Sequence, residues 1–148
     1  MRGAKNIQSV ELNTIAHATD DLDKVQLALT RLLPDSLKGR QLFTRKYLVG
    51  HYNNPIVTFA ARLSNTSEVE EFATFLLQSL PKSEILSIER ELNLHSDEDG
   101  NLYLRIDKQQ AFLGIVRLTD KDPIRVKLKF TRFRGDVSNL MMKYLEGE

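Results

Sequence analysis

Residues 124–134 read IRVKLKFTRFR and place five basic side chains in eleven positions, with no acid among them. Ile124, Val126, Leu128 and Phe130 alternate with Arg125, Lys127, Lys129 and Thr131. Side chains alternate between the faces of a strand, so the apolar set faces a core and the basic set faces away from it. Successive cations then stand ~6.6 Å apart, at ~3.3 Å rise per residue, a spacing suited to tracking the phosphates of one nucleic-acid strand. Arg132 and Arg134 carry the charge beyond the strand. Each phosphate neutralised in this way releases counterions and makes affinity depend on salt. The plain alternative is an exposed strand face whose lysines discourage edge-to-edge pairing.

A second group of residues points the same way. In TRKYLVGHYNNP, Arg45, Lys46, Tyr47, His51, Tyr52 and Asn53 fall in and beside one turn. Tyrosine and histidine stack on unpaired bases, and asparagine can bond a base edge. Tyr103 and Arg105 share the solvent side of NLYLRI. The competing structural roles are a half-buried core position for Tyr47 and Tyr103, and a simple turn for Asn53, Asn54 and Pro55.

Catalytic and metal chemistry find less support. His17, His51 and His95 show no helical i, i+4 pairing, and the chain has no cysteine. On a calcium-loop template, HSDEDGN would put His95 at the first ligand position and Ile106 at the twelfth, where a bidentate glutamate belongs. A charged hairpin turn accounts for it better. No GxGxxG, GxxxxGK[ST] or GxSxG is present. The expectation is a protein without catalytic residues, metal or cofactor.

The bulk properties set the frame for these groups. At 148 residues, one domain spanning 1–148 is expected. Hydrophobic residues make up 41% and charged residues 28%, a balance typical of soluble globular chains. No apolar run has the ~18 residues of a membrane span, no signal peptide is evident, and the lack of cysteine suits a reducing cytoplasm. Net charge is only +1, so the distribution matters more than the sum. Acids gather at 20–23, 68–71 and 97–99, away from the basic 117–134 region.

The elements that must position these residues follow from periodicity. Residues 7–17 predict a strand with Val10, Leu12, Thr14 and Ala16 on one side. A helix follows, with Thr19 as N-cap and an apolar stripe of Leu22, Val25, Leu29, Leu32 and Leu33, stopped by Pro34. Residues 41–63 predict a hairpin, its second strand turning Val57, Phe59, Ala61 and Leu63 to one face. The next helix has Ser67 and Glu70 at capping-box spacing and buries Val69, Phe72, Ala73, Leu76, Leu77 and Leu80. A short helix at 82–91, strands on either side of Asp99-Gly100, a helical turn at DKQQAF, and strands at LGIVRL and IRVKLKF complete the run. A final helix is expected from Asp136 to about Leu145, with Val137, Leu140, Met141 and Tyr144 inward. The order β-α-β-β-α-(α)-β-β-β-β-α, with short connections, predicts an α+β fold: a largely antiparallel sheet with helices packed on one face.

Five blocks in register, HATDDLDKV with LLP, GHYNNPI, LPKSE, DEDGNLYLRIDKQQAFLG and DPIRVKLKF, resemble an archaeal RNA-binding protein family described as a predicted exosome subunit. The resemblance covers about residues 7 to 133. It implies a fold similar to the large-subunit ribosomal protein that binds 5S ribosomal RNA, and a role in RNA processing or turnover. It marks Gly50 to Pro55 and Asp107 to Gly114 as family signatures.

Together these readings favour a non-enzymatic, cytoplasmic RNA-binding protein. Its expected contacts are Arg45, Lys46, His51, Tyr52, Asn53, Arg105, Arg125, Lys127, Lys129, Arg132 and Arg134. The RNA partner is structured or single-stranded, with exosome- or ribosome-related proteins as further partners and no membrane. Two rivals stand beside this: a protein-docking module using the adjacent Met141 and Met142, and an RNA-modifying or RNA-cleaving enzyme using His17 or His51. A homodimer through an open sheet edge is compatible with all three.

Overall fold

The computed structural model describes residues 7–130 and 137–145, with only the backbone described for His51 and residues 138–140. Five strands build one sheet: β1 (Ile7–Ala16), β2 (Thr44–Val49), β3 (Pro55–Leu63), β4 (Asn101–Asp107) and β5 (Pro123–Phe130). Their spatial order is β2-β3-β1-β5-β4, and every neighbouring pair is antiparallel. The helices are α1 (Leu22–Arg31), α2 (Asp35–Lys38), α3 (Thr66–Ser79), α4 (Lys82–Arg90), α5 (Leu92–His95), α6 (Lys108–Phe112) and α7 (Val137–Leu145). The α+β class, the antiparallel sheet and the helices on one face are as the sequence predicts.

The register shows why the sheet has two unlike faces. Val10 lies opposite Leu63 and Leu128, and Leu12 opposite Ala61 and Val126. Leu102, Leu104 and Ile106 continue these rows across β4. All but Ala61 join one buried cluster with Val25, Leu29, Phe72, Leu76 and Ile88 from the helices. The α3 stripe of Val69, Phe72, Ala73, Leu76, Leu77 and Leu80 is buried throughout. Each large member contributes roughly 1.5–3 kcal/mol relative to exposure. Among the described residues no helix covers the other face of the sheet: Asn13, Ala60 and Arg125 are exposed across its centre.

Both helix starts differ from the expectation. Asp21, not Thr19, caps α1: its carboxylate accepts from the Asp23 and Lys24 amides at 2.9 and 3.4 Å. The chain turns first, with the Asp20 carboxylate bonding the His17 amide at 2.8 Å, so the helix begins only at Leu22. Asn65, not Ser67, caps α3, accepting from the Ser67 and Glu68 amides. Because α3 starts that early, Glu70 is free for other work: it accepts from the Ile7 amide at 3.2 Å and the Tyr144 hydroxyl at 2.7 Å. It thereby links β1, α3 and α7.

Two segments expected as strands are reduced to single bridges. Residues 92–95 form α5, and the pairing there is one Ser96–Leu102 bridge. Gly114, at φ +83°, ends the turn after α6, and LGIVRL then runs past the free edge of β4. It holds that edge through Asp107 N to Arg117 O (2.7 Å) and Thr119 N to Arg105 O (3.0 Å), around one Ile106–Leu118 bridge. A single bridge is all such a short irregular segment sustains. In α7, Val137, Met141 and Tyr144 are buried, while Asp136 and the Leu140 side chain lie outside the described residues.

Candidate nucleic-acid interface

Residues opposite one another in a ladder share a face, and the register gathers cations on the face without helices. Arg125 sits between Asn13 and Arg105, and Lys127 between Glu11 and Tyr103. Glu11 faces Arg62 on its other side, where Arg62 Nη1 reaches its Oε2 at 3.4 Å. Lys129 lies between Ser9 and Asn101, both buried, so it occupies the more closed end. Lys46, opposite Thr58 on the far edge, points to the same side. Three inter-strand steps of ~4.8 Å put it about 14 Å from β5.

Arg105 and Arg125 are directly opposite each other. The backbone of Arg105 turns away from β5, since its carbonyl accepts from Thr119. The two arginines therefore occupy a non-hydrogen-bonded site, where cross-strand side chains come closest. The carboxylate near them, Asp120, is 3.9 Å from Arg105 and fully extended into solvent.

Beside this pair, Lys127 Nζ sits 5.9 Å from the centroid of the Tyr103 ring. The Tyr103 hydroxyl donates to Asp97 Oδ2 at 2.8 Å. Partial burial works to raise the Asp97 pKa, but hydrogen bonds from Asn101, Tyr103 and Asp99 prevail and hold it at about 2. That hydrogen bond to Asp97 raises the pKa of Tyr103. Tyr103 is thereby fixed at the edge of the basic face, with its ring still partly open to solvent.

The hairpin residues divide. Arg45 pairs with Phe59 and so points to the helix side. There its guanidinium lies 4.9 Å from the Phe59 ring and 3.4 Å from Gln26 Oε1. His51, Tyr52 and Asn53 form a 3-10 turn beyond the last pair of the hairpin, Val49 with Pro55. Tyr52 and Asn53 both have left-handed backbones, at φ 58° and 61°. The conformation suits asparagine and strains tyrosine. Tyr52 is 94% exposed. Of the basic residues named from sequence, Lys46, Arg105, Arg125, Lys127 and Lys129 share one face, while Arg132 and Arg134 lie outside the described residues. Arg62 was missed, though the alternation of IVTFAARL already sends it outward.

The DKQQAFLG block has a structural part. Asp107 caps α6 through the Gln110 amide at 2.9 Å. Lys108 is buried, and its Nζ donates to Ile15 O at 2.7 Å and to both carboxylate oxygens of Asp122 at 3.1 Å. Asp20 Oδ2 is 3.9 Å from the same ammonium, and His17 Nε2 is 3.3 Å from Asp122. His17, Asp20 and Asp122 form the cluster among the described residues that could hold a metal ion. The Lys108 ammonium already stands where such a cation would. Asp122, at φ 45° ahead of Pro123, is held in a strained turn by this clamp.

Comparison with known proteins agrees with the fold. A family model described as RNA binding matches residues 9–130. The chain is 29% identical over 153 residues to RNA-binding protein PAB1135 of Pyrococcus abyssi, covering 100% of this chain and 99% of that one. It is 31% identical over 121 residues to the uncharacterized protein MJ0213 of Methanocaldococcus jannaschii, covering 80% of each. Its fold is similar to the crystal structure of AF2318 from Archaeglobus fulgidus, at TM-score 0.75 and 32% identity over 95% of this chain and 98% of that one.

Proposed function

The chain belongs to the family described as RNA binding, and we propose that it is a non-enzymatic protein that binds RNA across the face of the sheet opposite the helices. The observation that carries this reading is the facing pair Arg105 and Arg125 beside Lys127. Like charges directly opposite on a sheet destabilise it, and an anion between them relieves the cost. Phosphate is the anion that RNA supplies in series. Lys46 and Arg62 extend the track toward the opposite edge, and the 51–53 tip stands at its end with Tyr52 and Asn53 for bases. Arg132 and Arg134 continue the basic sequence beyond β5.

A role in RNA processing or turnover, in a reducing cytoplasm, fits the resemblance of the sequence blocks and the lack of cysteine. No helix among the described residues is long and apolar enough to cross a membrane. The docking alternative gains little from α7, where Met141 is buried and Met142 packs against the core.

Titration of labelled single-stranded and hairpin RNA at low salt tests the proposal. Binding that falls steeply with salt and is lost in the Arg125→Glu, Lys127→Glu double variant supports it. Absence of binding by the native chain, or binding unchanged in the double variant, overturns it.

A further inference from the structure

A cavity of about 530 Å3 opens where the free edge of β4 meets α4, α5 and the 118–120 segment. This lies within the roughly 300–1,000 Å3 range of small-ligand sites. Tyr103 and Arg105 line both this cavity and the basic face, so a chain on the face passes its mouth.

The interior has a different charge from the face. Glu84, Glu91 and Asp120 line it, and Arg105 is the one Lys or Arg side chain among the described residues that does. Both Glu84 oxygens are occupied, by Arg117 Nε at 3.0 Å and the Leu118 amide at 2.9 Å. Glu91 and Asp120 are exposed acceptors. With Glu84 already paired, the open acceptors are the carboxylates of Glu91 and Asp120 at the solvent side of the cavity, which favour a group that donates hydrogen bonds over a phosphate. The walls suit a flat ring. Leu94, 70% exposed, offers an apolar face. The His95 ring, another part of the lining, has Nδ1 3.4 Å from the Tyr103 carbonyl oxygen.

We propose that this cavity takes one unpaired nucleobase bearing an exocyclic amine, adenine or cytosine, from an RNA whose flanking phosphates lie on the basic face. The inference rests on the RNA-binding reading above. Uracil, with two carbonyl acceptors and no amine, meets carboxylates where it needs donors.

Uridine nonamers with a central adenosine, cytidine or uridine test it, by fluorescence anisotropy at fixed salt. The native chain should bind the first two roughly tenfold more tightly than the third, the effect of one hydrogen bond to a charged acceptor. Ser87→Phe, which fills the cavity, and the surface double variant Glu91→Ala, Asp120→Ala should each remove the preference while circular dichroism stays native. Arg125→Glu should weaken all three RNAs alike. Equal binding of the three, or a preference that survives both cavity variants, overturns the base pocket and leaves RNA binding by the face intact. If free adenosine monophosphate displaces the nonamer at equal concentration, the site is one for mononucleotides and this form of the proposal fails. If the native chain binds no RNA at all, both readings fall.

Discussion

Arg105 and Arg125 face each other across the β4–β5 ladder in a non-hydrogen-bonded site where, among the described residues, carboxylate support reaches only Arg105. Such a pair costs stability on the order of 0.2–1 kcal/mol relative to a neutral one. Arg125→Thr should therefore raise the urea midpoint slightly at low salt while lowering RNA affinity. A variant that is less stable, or one that binds as well as the native chain, contradicts the assigned role.

Lys127 contributes through its charge on the open face. Lys127→Ala should reduce the slope of log K against log salt by about 0.7–0.9, one phosphate contact, whatever the RNA sequence. An unchanged slope would place Lys127 outside the RNA path.

Lys108 is a structural cation. Lys108→Ala leaves Ile15 O without its donor and Asp122 without its counter-charge in a strained turn. The cost should be about 2–3 kcal/mol, below the fully buried range because Asp122 is half exposed. Chemical denaturation measures it, and Lys108→Ala combined with Asp122→Asn should lose less than the sum of the single changes.

Asp97 makes acid stability diagnostic. Its native pKa of about 2 lies below the ordinary 3.8, so its bonds stabilise the fold fully above pH ~4. That contribution is lost as pH falls from about 4 toward 2. Asp97→Asn should flatten the stability profile within this window. Tyr103→Phe, which removes one donor, should shift the Asp97 carboxyl resonance titration upward.

Tyr52 occupies a left-handed backbone that a bulky residue adopts at a cost. Tyr52→Gly should gain roughly 0.5–1 kcal/mol and weaken binding to single-stranded RNA. Equal affinity would remove the ring from the proposed interface.

Much of this architecture is legible in the chain because it is governed by local periodicity. The alternation in 124–130 and 57–63 predicts both faces of β5 and β3, and the α3 stripe is buried at each named position. Caps were less legible: Thr19 and Asp21, or Ser67 and Asn65, are equally capable acceptors, and the turn leading into the helix selects between them. LGIVRL has strand composition but meets β4 at one bridge, because Gly114 at φ +83° breaks the segment before it reaches the edge.

The sequence by itself determined which side chains turn away from the core, since strand and helix periods assign them without reference to partners. Only the tertiary structure decided which of those outward residues meet. Ladder register set Arg105 against Arg125, and sheet order placed Lys46 three strands from Arg125. The parity of a single residue in β2 sent Arg45 to the helix side, beside its basic neighbour. These outcomes depend on contacts between segments far apart in the chain, and no local pattern records them.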